Sequence, residues 1–211
     1  MRSRAYAVLI DAGFLKRKLG SRENPLTAAA TRRFIDNLKD HPQLSDLHLH
    51  RVYFYDAPPL TAREHKPLGG GFIQFGNTQL ARTNQRLHLE LRDVPFISLR
   101  MGELRFRGWK LNNKRLPRDE HQFAISAEDL DPNVHQKAVD MRLGLDIASI
   151  TLKKHADVIV LVTGDSDFVP AMKFARREGA QVFLFTLGHQ VTDEVREHAD
   201  LLLELPSTNP P

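Results

Sequence analysis

Val158-Ile-Val-Leu-Val-Thr-Gly-Asp-Ser-Asp-Phe168 runs an apolar strand straight into two carboxylates set one residue apart, Asp165 and Asp167. The run before them is rich in β-branched residues and too short for a typical helix, the pattern of a strand buried on both faces in a parallel sheet. The acids therefore sit at the strand's C-terminal end, the edge where ligands bind in open α/β sheets. Residues 168–178 have helical composition, with Pro170 at a position a first turn tolerates. Two acids this close raise each other's pKa unless a cation neutralises them. A strand-to-helix turn in which Asp caps the helix and Gly164 supplies the bend explains the same letters. The pair alone does not choose between a cap and a metal site.

Working outward, residues 5–10 read as a strand ending at Asp11, followed by Gly13 and the basic run Lys16-Arg17-Lys18. Residues 25–38 suit a helix, and residues 47–55 form a strand that ends on Asp56 before Pro58-Pro59. Residues 60–76 contain Gly69-Gly70-Gly71 without a clear period and read as a mobile loop. No Gly-Lys-Ser/Thr follows, so they are not a phosphate loop. A helix over 78–91 and a strand over 94–101 come next. Residues 134–154 predict one long helix, apolar on most of its circumference and so packed on more than one side. The final third alternates strand 158–163, helix 168–178 closed by Gly179, strand 182–185, helix 192–199 and strand 201–205, which predicts an α/β fold with a parallel sheet.

A chain of 211 residues fits one domain with an insertion: residues 1–205 with the insertion at about 57–133, then a flexible tail at 206–211. The absence of cysteine excludes disulfides and cysteine zinc sites. The ten histidines lack metal-ligand spacing; His48 and His50 share a strand face without partners. The apolar start is too short for a signal peptide and no segment approaches a membrane span, so a cytoplasmic protein without membrane contact is expected. The net charge of +4 permits an anionic partner.

Four carboxylates stand out: Asp11, Asp165 and Asp167 at strand ends, and Asp140 among Val139, Met141, Leu143 and Leu145 in the expected helix. Strand-end acids converge when their strands are neighbours, and an acid in apolar surroundings needs a partner. Lys137, three residues before Asp140, is one candidate for a plain local ion pair. Asp146 lies about 120° around a helix from Asp140, so both cannot point into one site. Carboxylates without histidine or cysteine are hard oxygen ligands suited to Mg²⁺ or Mn²⁺, and such ions suit phosphodiester chemistry. From residue 100 to 118, seven basic residues (Arg100, Arg105, Arg107, Lys110, Lys114, Arg115 and Arg118) face one acid, Glu103, with Phe106 and Trp109 interleaved. This hairpin-like stretch, with a turn at Asn112-Asn113, suits a grip on phosphates and unpaired bases. A solvated hairpin with its aromatic residues tucked inward explains it equally well.

Val8-Leu-Ile-Asp-Ala-Gly-Phe14, Lys137-Ala-Val-Asp-Met-Arg-Leu-Gly-Leu-Asp146 and Val160-Leu-Val-Thr-Gly-Asp-Ser-Asp-Phe-Val-Pro170 resemble the signature blocks of NYN-domain proteins of the LabA-like group, in the PIN-like nuclease superfamily. Tyr53-Phe-Tyr-Asp56, Arg177-Glu-Gly-Ala180 and His198-Ala-Asp-Leu201 are similar as well. The resemblance implies a three-layer α-β-α fold around a mostly parallel sheet, here with a basic hairpin insertion. It also implies a Mg²⁺- or Mn²⁺-dependent endoribonuclease with Asp11, Asp140, Asp165 and Asp167 as metal ligands. Asp146 would be a supporting or structural acid; Lys137 would orient Asp140 or meet a phosphate; Thr163 and Ser166 would support the site through their hydroxyls. Many relatives carry Asn shortly after the first Asp, where this chain has Phe14. RNA is the expected partner, single-stranded or looped, gripped by Arg100, Arg105, Arg107, Trp109, Lys110, Lys114 and Arg115. Homodimerisation is compatible with the sequence. A non-catalytic RNA-binding module holding a structural ion is the alternative. A phosphatase of the haloacid dehalogenase type needs a second Asp two residues after the first, and position 13 is Gly.

Overall fold

The computed structural model describes residues 4–117 and 122–204. Arg118 of the basic stretch and the expected tail at 206–211 lie outside the described residues. In chain order the elements are β1 (Ala5–Asp11), α1 (Ala12–Leu19), α2 (Ala28–Lys39), β2 (His48–Asp56), β3 (Arg63–His65), β4 (Phe72–Gln74), α3 (Gln79–Leu91) and β5 (Ile97–Met101). They continue with β6 (Glu103–Leu111), β7 (Leu130–Lys137), α4 (Val139–Leu152), β8 (Val158–Val162), α5 (Val169–Arg177), β9 (Gln181–Phe185), α6 (Asp193–Glu197) and β10 (Leu201–Leu203).

Six strands form one sheet in the order β10-β9-β8-β1-β2-β5, with every neighbouring pair parallel. The alternation in β1 shows why it has three layers. Tyr6, Val8 and Ile10 join one core with Phe14, Leu15, Phe34, Ile35, Leu38, Leu87 and Leu91, from α1, α2 and α3. Ala7 and Leu9 point the other way, into a core with Val139, Leu143, Ile147, Met172 and Val195, from α4, α5 and α6. All five residues of β8 are buried, as the uninterrupted apolar run predicts. Full burial of each such side chain contributes about 1.5–3 kcal/mol.

The chain steps from β1 to β2 and β5 on one side, then returns to lay β8 against the other edge of β1 and moves outward to β9 and β10. Strand order thus reverses between β1 and β8. Ile10 pairs with Val162, so the next residues, Asp11, which still pairs with Tyr55 of β2, and Thr163, just past β8, stand side by side at the sheet's edge. A crevice at such a reversal is the general ligand position of this architecture.

Three local expectations are corrected. Residues 134–154 are not one helix: Leu130–Lys137 is a strand paired antiparallel with β6, and the helix begins at Val139. Ala138 between them has a left-handed backbone, φ 64°, that separates the two elements. Residues 60–76 are not a featureless loop, because β3 and β4 pair antiparallel within them. The basic stretch does not fold back at Asn112-Asn113; β6 pairs with the distant β7, and Asn112 instead caps a 3₁₀ turn by accepting from Lys114 N–H. Cross-strand pairing overrode local turn chemistry in each case. Helix α4 also packs on fewer sides than its composition implies, leaving Met141, Leu145 and Leu152 60–70% exposed. No helix among the described residues is long and apolar enough to cross a membrane.

Candidate active site

Asp11 closes β1 and caps α1, its carboxylate accepting the Phe14 backbone N–H at 3.1 Å. The Thr163 hydroxyl reaches its other oxygen at 3.5 Å and also accepts the Asp165 N–H at 3.2 Å. Thr163 is fully buried, so it fixes the end of β8 against Asp11. Asp165 caps the 3₁₀ turn that leads into α5, accepting the Asp167 N–H at 3.0 Å. The capping reading of the Asp165/Asp167 pair is thus observed, and it does not exhaust these acids. Both carboxylates and Ser166 are exposed to solvent at the crevice.

Asp140 lies in the first turn of α4, a position where the helix dipole favours an anion. It is exposed, which corrects the expectation of an acid sunk among apolar neighbours. Burial pushes its carboxyl above the ordinary value, and the charges of Asp11, Asp165 and Asp167 push it further. The charges of Asp11, Asp165 and Asp167 all reach Asp140, so the four acids share this end of the sheet. Asp11 is also raised, chiefly by burial and partly by Asp165, against the opposing pull of the Phe14 and Gly13 N–H groups and Arg17. Among the described residues, no three acidic or histidine side chains converge closely enough to enclose an ion. The donor set fits a Mg²⁺ or Mn²⁺ that keeps several waters and touches one or two carboxylates, the usual habit of Mg²⁺.

Lys137 is not a helical neighbour of Asp140, since it ends β7 opposite Glu103. Asp146 is taken elsewhere: Tyr55 donates to it at 2.8 Å, and Arg100 grips it with two bonds of 2.8 and 2.7 Å. That pairing corrects the expected role of Arg100, whose guanidinium ties β5 to α4.

Two groups of residues escaped the sequence reading. Asp56 at the end of β2 is buried and accepts from Lys16 and His88, joining β2 to α1 and α3. Burial alone would raise its carboxyl, but the His88 bond and the Lys16 charge outweigh that and hold it below the ordinary value. On the other side of α1, Phe14, Arg17, Lys18, Gly164, Asp165, Ser166 and His189 line a polar hollow of about 270 Å³. The His189 ring meets Phe14 edge-on at 5.9 Å, and any side chain at Gly164 would collide with both. The basic run after Asp11 was visible in the sequence; His189 carried no signal, being brought in by the loop after β9.

Residues 99–205, half of the chain, match the model of the NYN domain. The chain belongs to the NYN domain family. That family lies in the PIN-like nuclease superfamily, which points to nuclease-type chemistry. The matched span of this NYN chain contains Asp140, Asp165 and Asp167, while Asp11 precedes it. An uncharacterized protein of Methanocaldococcus jannaschii is 23% identical over 82 residues, 39% of this chain and 34% of that protein. The match thus spans about a third of the relative's length. A crystal structure of a protein of unknown function from Vibrio parahaemolyticus aligns over 98% of both chains with a TM-score of 0.52 and 13% identity, a likeness of fold alone.

In this NYN chain the basic stretch is divided. Arg105 pairs with Glu103 at 2.6 Å, and Arg115 donates to the Glu128 carbonyl. Trp109 donates to the His65 carbonyl at 3.0 Å and packs with Phe75 and Phe106. Arg107, Lys110 and Lys114 stay exposed. The tucked-in reading thus applies to the aromatic residues, the exposed reading to these three cations.

Proposed function

We propose that this protein is a divalent-metal-dependent ribonuclease that hydrolyses phosphodiester bonds of unpaired RNA. The observation that carries this reading is the placement of Asp11 and of the Asp165/Asp167 turn at the reversal of strand order, with Asp140 near enough to feel the charge of all three. Mg²⁺ or Mn²⁺ would be held among Asp11, Asp140, Asp165 and Asp167, with water completing its shell. When bound, the ion supplies positive charge to the phosphoryl oxygens and lowers the pKa of water.

The chain's own groups do the rest. Arg17, Lys18 and His189 beside Asp165 grip the phosphate in the polar hollow. Asp140, in the first turn of α4, takes a proton from the attacking water. The water oxygen bonds to phosphorus as the bond to the 3′-oxygen breaks, leaving a 5′-phosphate and, after protonation from solvent, a 3′-hydroxyl. Thr163 keeps Asp11 and the Asp165 backbone in register during the step. Arg107, Lys110 and Lys114 attract the strand from a distance.

The test is cleavage of end-labelled RNA by the wild type and by Asp165→Asn, with Mg²⁺, Mn²⁺ or EDTA. The reading requires ion-dependent cleavage that the substitution abolishes. Equal cleavage by both proteins, or cleavage surviving EDTA, overturns it. A second reading, an RNA-binding module without turnover, draws support from the open spacing of the acids among the described residues. Salt-sensitive RNA binding with no cleavage under any ion would establish it instead.

A further inference from the structure

Helix α1 has two sides at the crevice. One borders the polar hollow; the other, through Gly13 and Lys16, borders a cavity of about 410 Å³ that is mostly apolar. Ala57, Leu60 and Leu80 form part of its wall from the segment after β2 and from α3, and Leu104 and Val134 close it from β6 and β7. Asn84 and Gln136 bring amide groups to the same wall. The Asn84 amide nitrogen donates to the Leu80 carbonyl at 2.9 Å, which leaves its oxygen able to accept. At the floor, Lys16 is neutralised by Asp56, so the cavity holds no unpaired charge that would favour an ion over a flat neutral ring.

We infer that this cavity seats one unstacked nucleobase of a single-stranded nucleic acid laid across the carboxylates, an inference that rests on the nuclease reading of those carboxylates. Three features support a base. The volume lies in the range of small-ligand sites, and apolar walls with a few placed polar groups are their usual construction. A planar base satisfies both halves of that lining, with its faces on the aliphatic wall and its edge on the two amides. The third is position. A side-chain carbon at Gly13 would stand 3.2 Å from the Asp11 carboxylate and 3.4 Å from the Arg17 guanidinium, so this cavity-lining residue lies beside the acidic centre. A nucleotide can then place its base in the cavity, its neighbouring phosphate over the acids and the next phosphate against Arg17, Lys18 and His189. A duplex would first have to flip the base out of its stack, so a strand that is already unpaired is favoured.

Abasic scanning tests the inference without cleavage. Fluorescent single-stranded RNA, and copies with one base removed at each position in turn, would be titrated in EDTA against the wild type, Gln136→Trp and Leu80→Glu. Gln136 is on an exposed strand position and Leu80 is 74% exposed, so neither change threatens the core. Loss of one particular base should weaken wild-type binding roughly 10-fold, the scale of a single base contact. Gln136→Trp, which fills the cavity, and Leu80→Glu, which charges its rim, should lose the same factor on intact RNA and become insensitive to that abasic position. A flat scan in the wild type, or variants that bind and scan like the wild type, overturns the inference. Failure of the nuclease reading is separate, since it would show as absent cleavage with Mg²⁺ or Mn²⁺ whatever the scan gives.

Discussion

The six-stranded sheet and the β6–β7 pair bury apolar surface in opposite ways. In β8 every residue is buried, because helices cover both faces of the parallel sheet. In β6 no residue is fully buried; exposed and half-buried positions alternate, and the hairpin's centre is the small aromatic cluster of Phe75, Phe106 and Trp109. The sheet fixes where the carboxylates stand, and the hairpin builds the wall of the cavity beside them. The carboxylates thus stand on the deeply buried part and the cavity wall on the less buried one, and segments with few buried contacts open more readily.

That division can be broken most sharply at the acids. Asp165→Asn should lower RNA cleavage on the order of 1,000-fold while circular dichroism stays unchanged, the scale of losing one electrostatic contact to developing charge; a variant that loses both activity and structure would place Asp165 in the fold rather than the chemistry. Next comes the sheet: Leu161→Ala should cost about 2–5 kcal/mol in urea unfolding. Phe106→Ala should cost less, about 1 kcal/mol on the scale of an aromatic pair, and should speed amide exchange in β6 and β7 while leaving β1 and β8 protected. Equal losses in both regions would show that hairpin and sheet unfold as one unit.

Smaller effects probe charge. Replacing Arg107, Lys110 and Lys114 by Ala should weaken binding of all RNA sequences alike and reduce the salt slope by about 2, at roughly 0.7 per phosphate contact on a single strand. Asp56, which is buried, and Asp11, which is half-buried, should respond to pH with opposite signs. Asp56 is held below the ordinary 3.8, so it contributes stability that is full above that value and fades as pH falls through its folded value. Asp11 is raised above 3.8, so its ionisation costs stability at neutral pH, and the cost disappears below 3.8. In thermal melts at pH 7, Asp56→Asn should therefore be less stable than the wild type and Asp11→Asn more stable, with both differences shrinking towards pH 3. Mn²⁺ should raise the melting temperature of the wild type more than that of Asp11→Asn.

Much of the sheet was legible because its strands speak for themselves. Residues 158–162 are apolar at every position, which only a strand covered on both faces needs, and Asp11 and Asp165 follow such runs directly. The hairpin was misread because Leu130–Lys137 has no strong pattern of its own and becomes a strand only by pairing with β6. Arg100 was misassigned for a similar reason, since nothing local announces Asp146 forty-six residues away as its partner. His189 and the Lys16–Asp56–His88 network were missed because each joins residues far apart in sequence.

By itself, the sequence determined the parallel sheet and the acids at its strand ends, since periodicity and strand-end position are local properties. Only the tertiary structure decided which acids share one end of the sheet, which cations stay free for a phosphate and where a cavity opens. Those depend on strand order and long-range pairing, and electrostatic coupling between side chains exists only once the chain has brought them together.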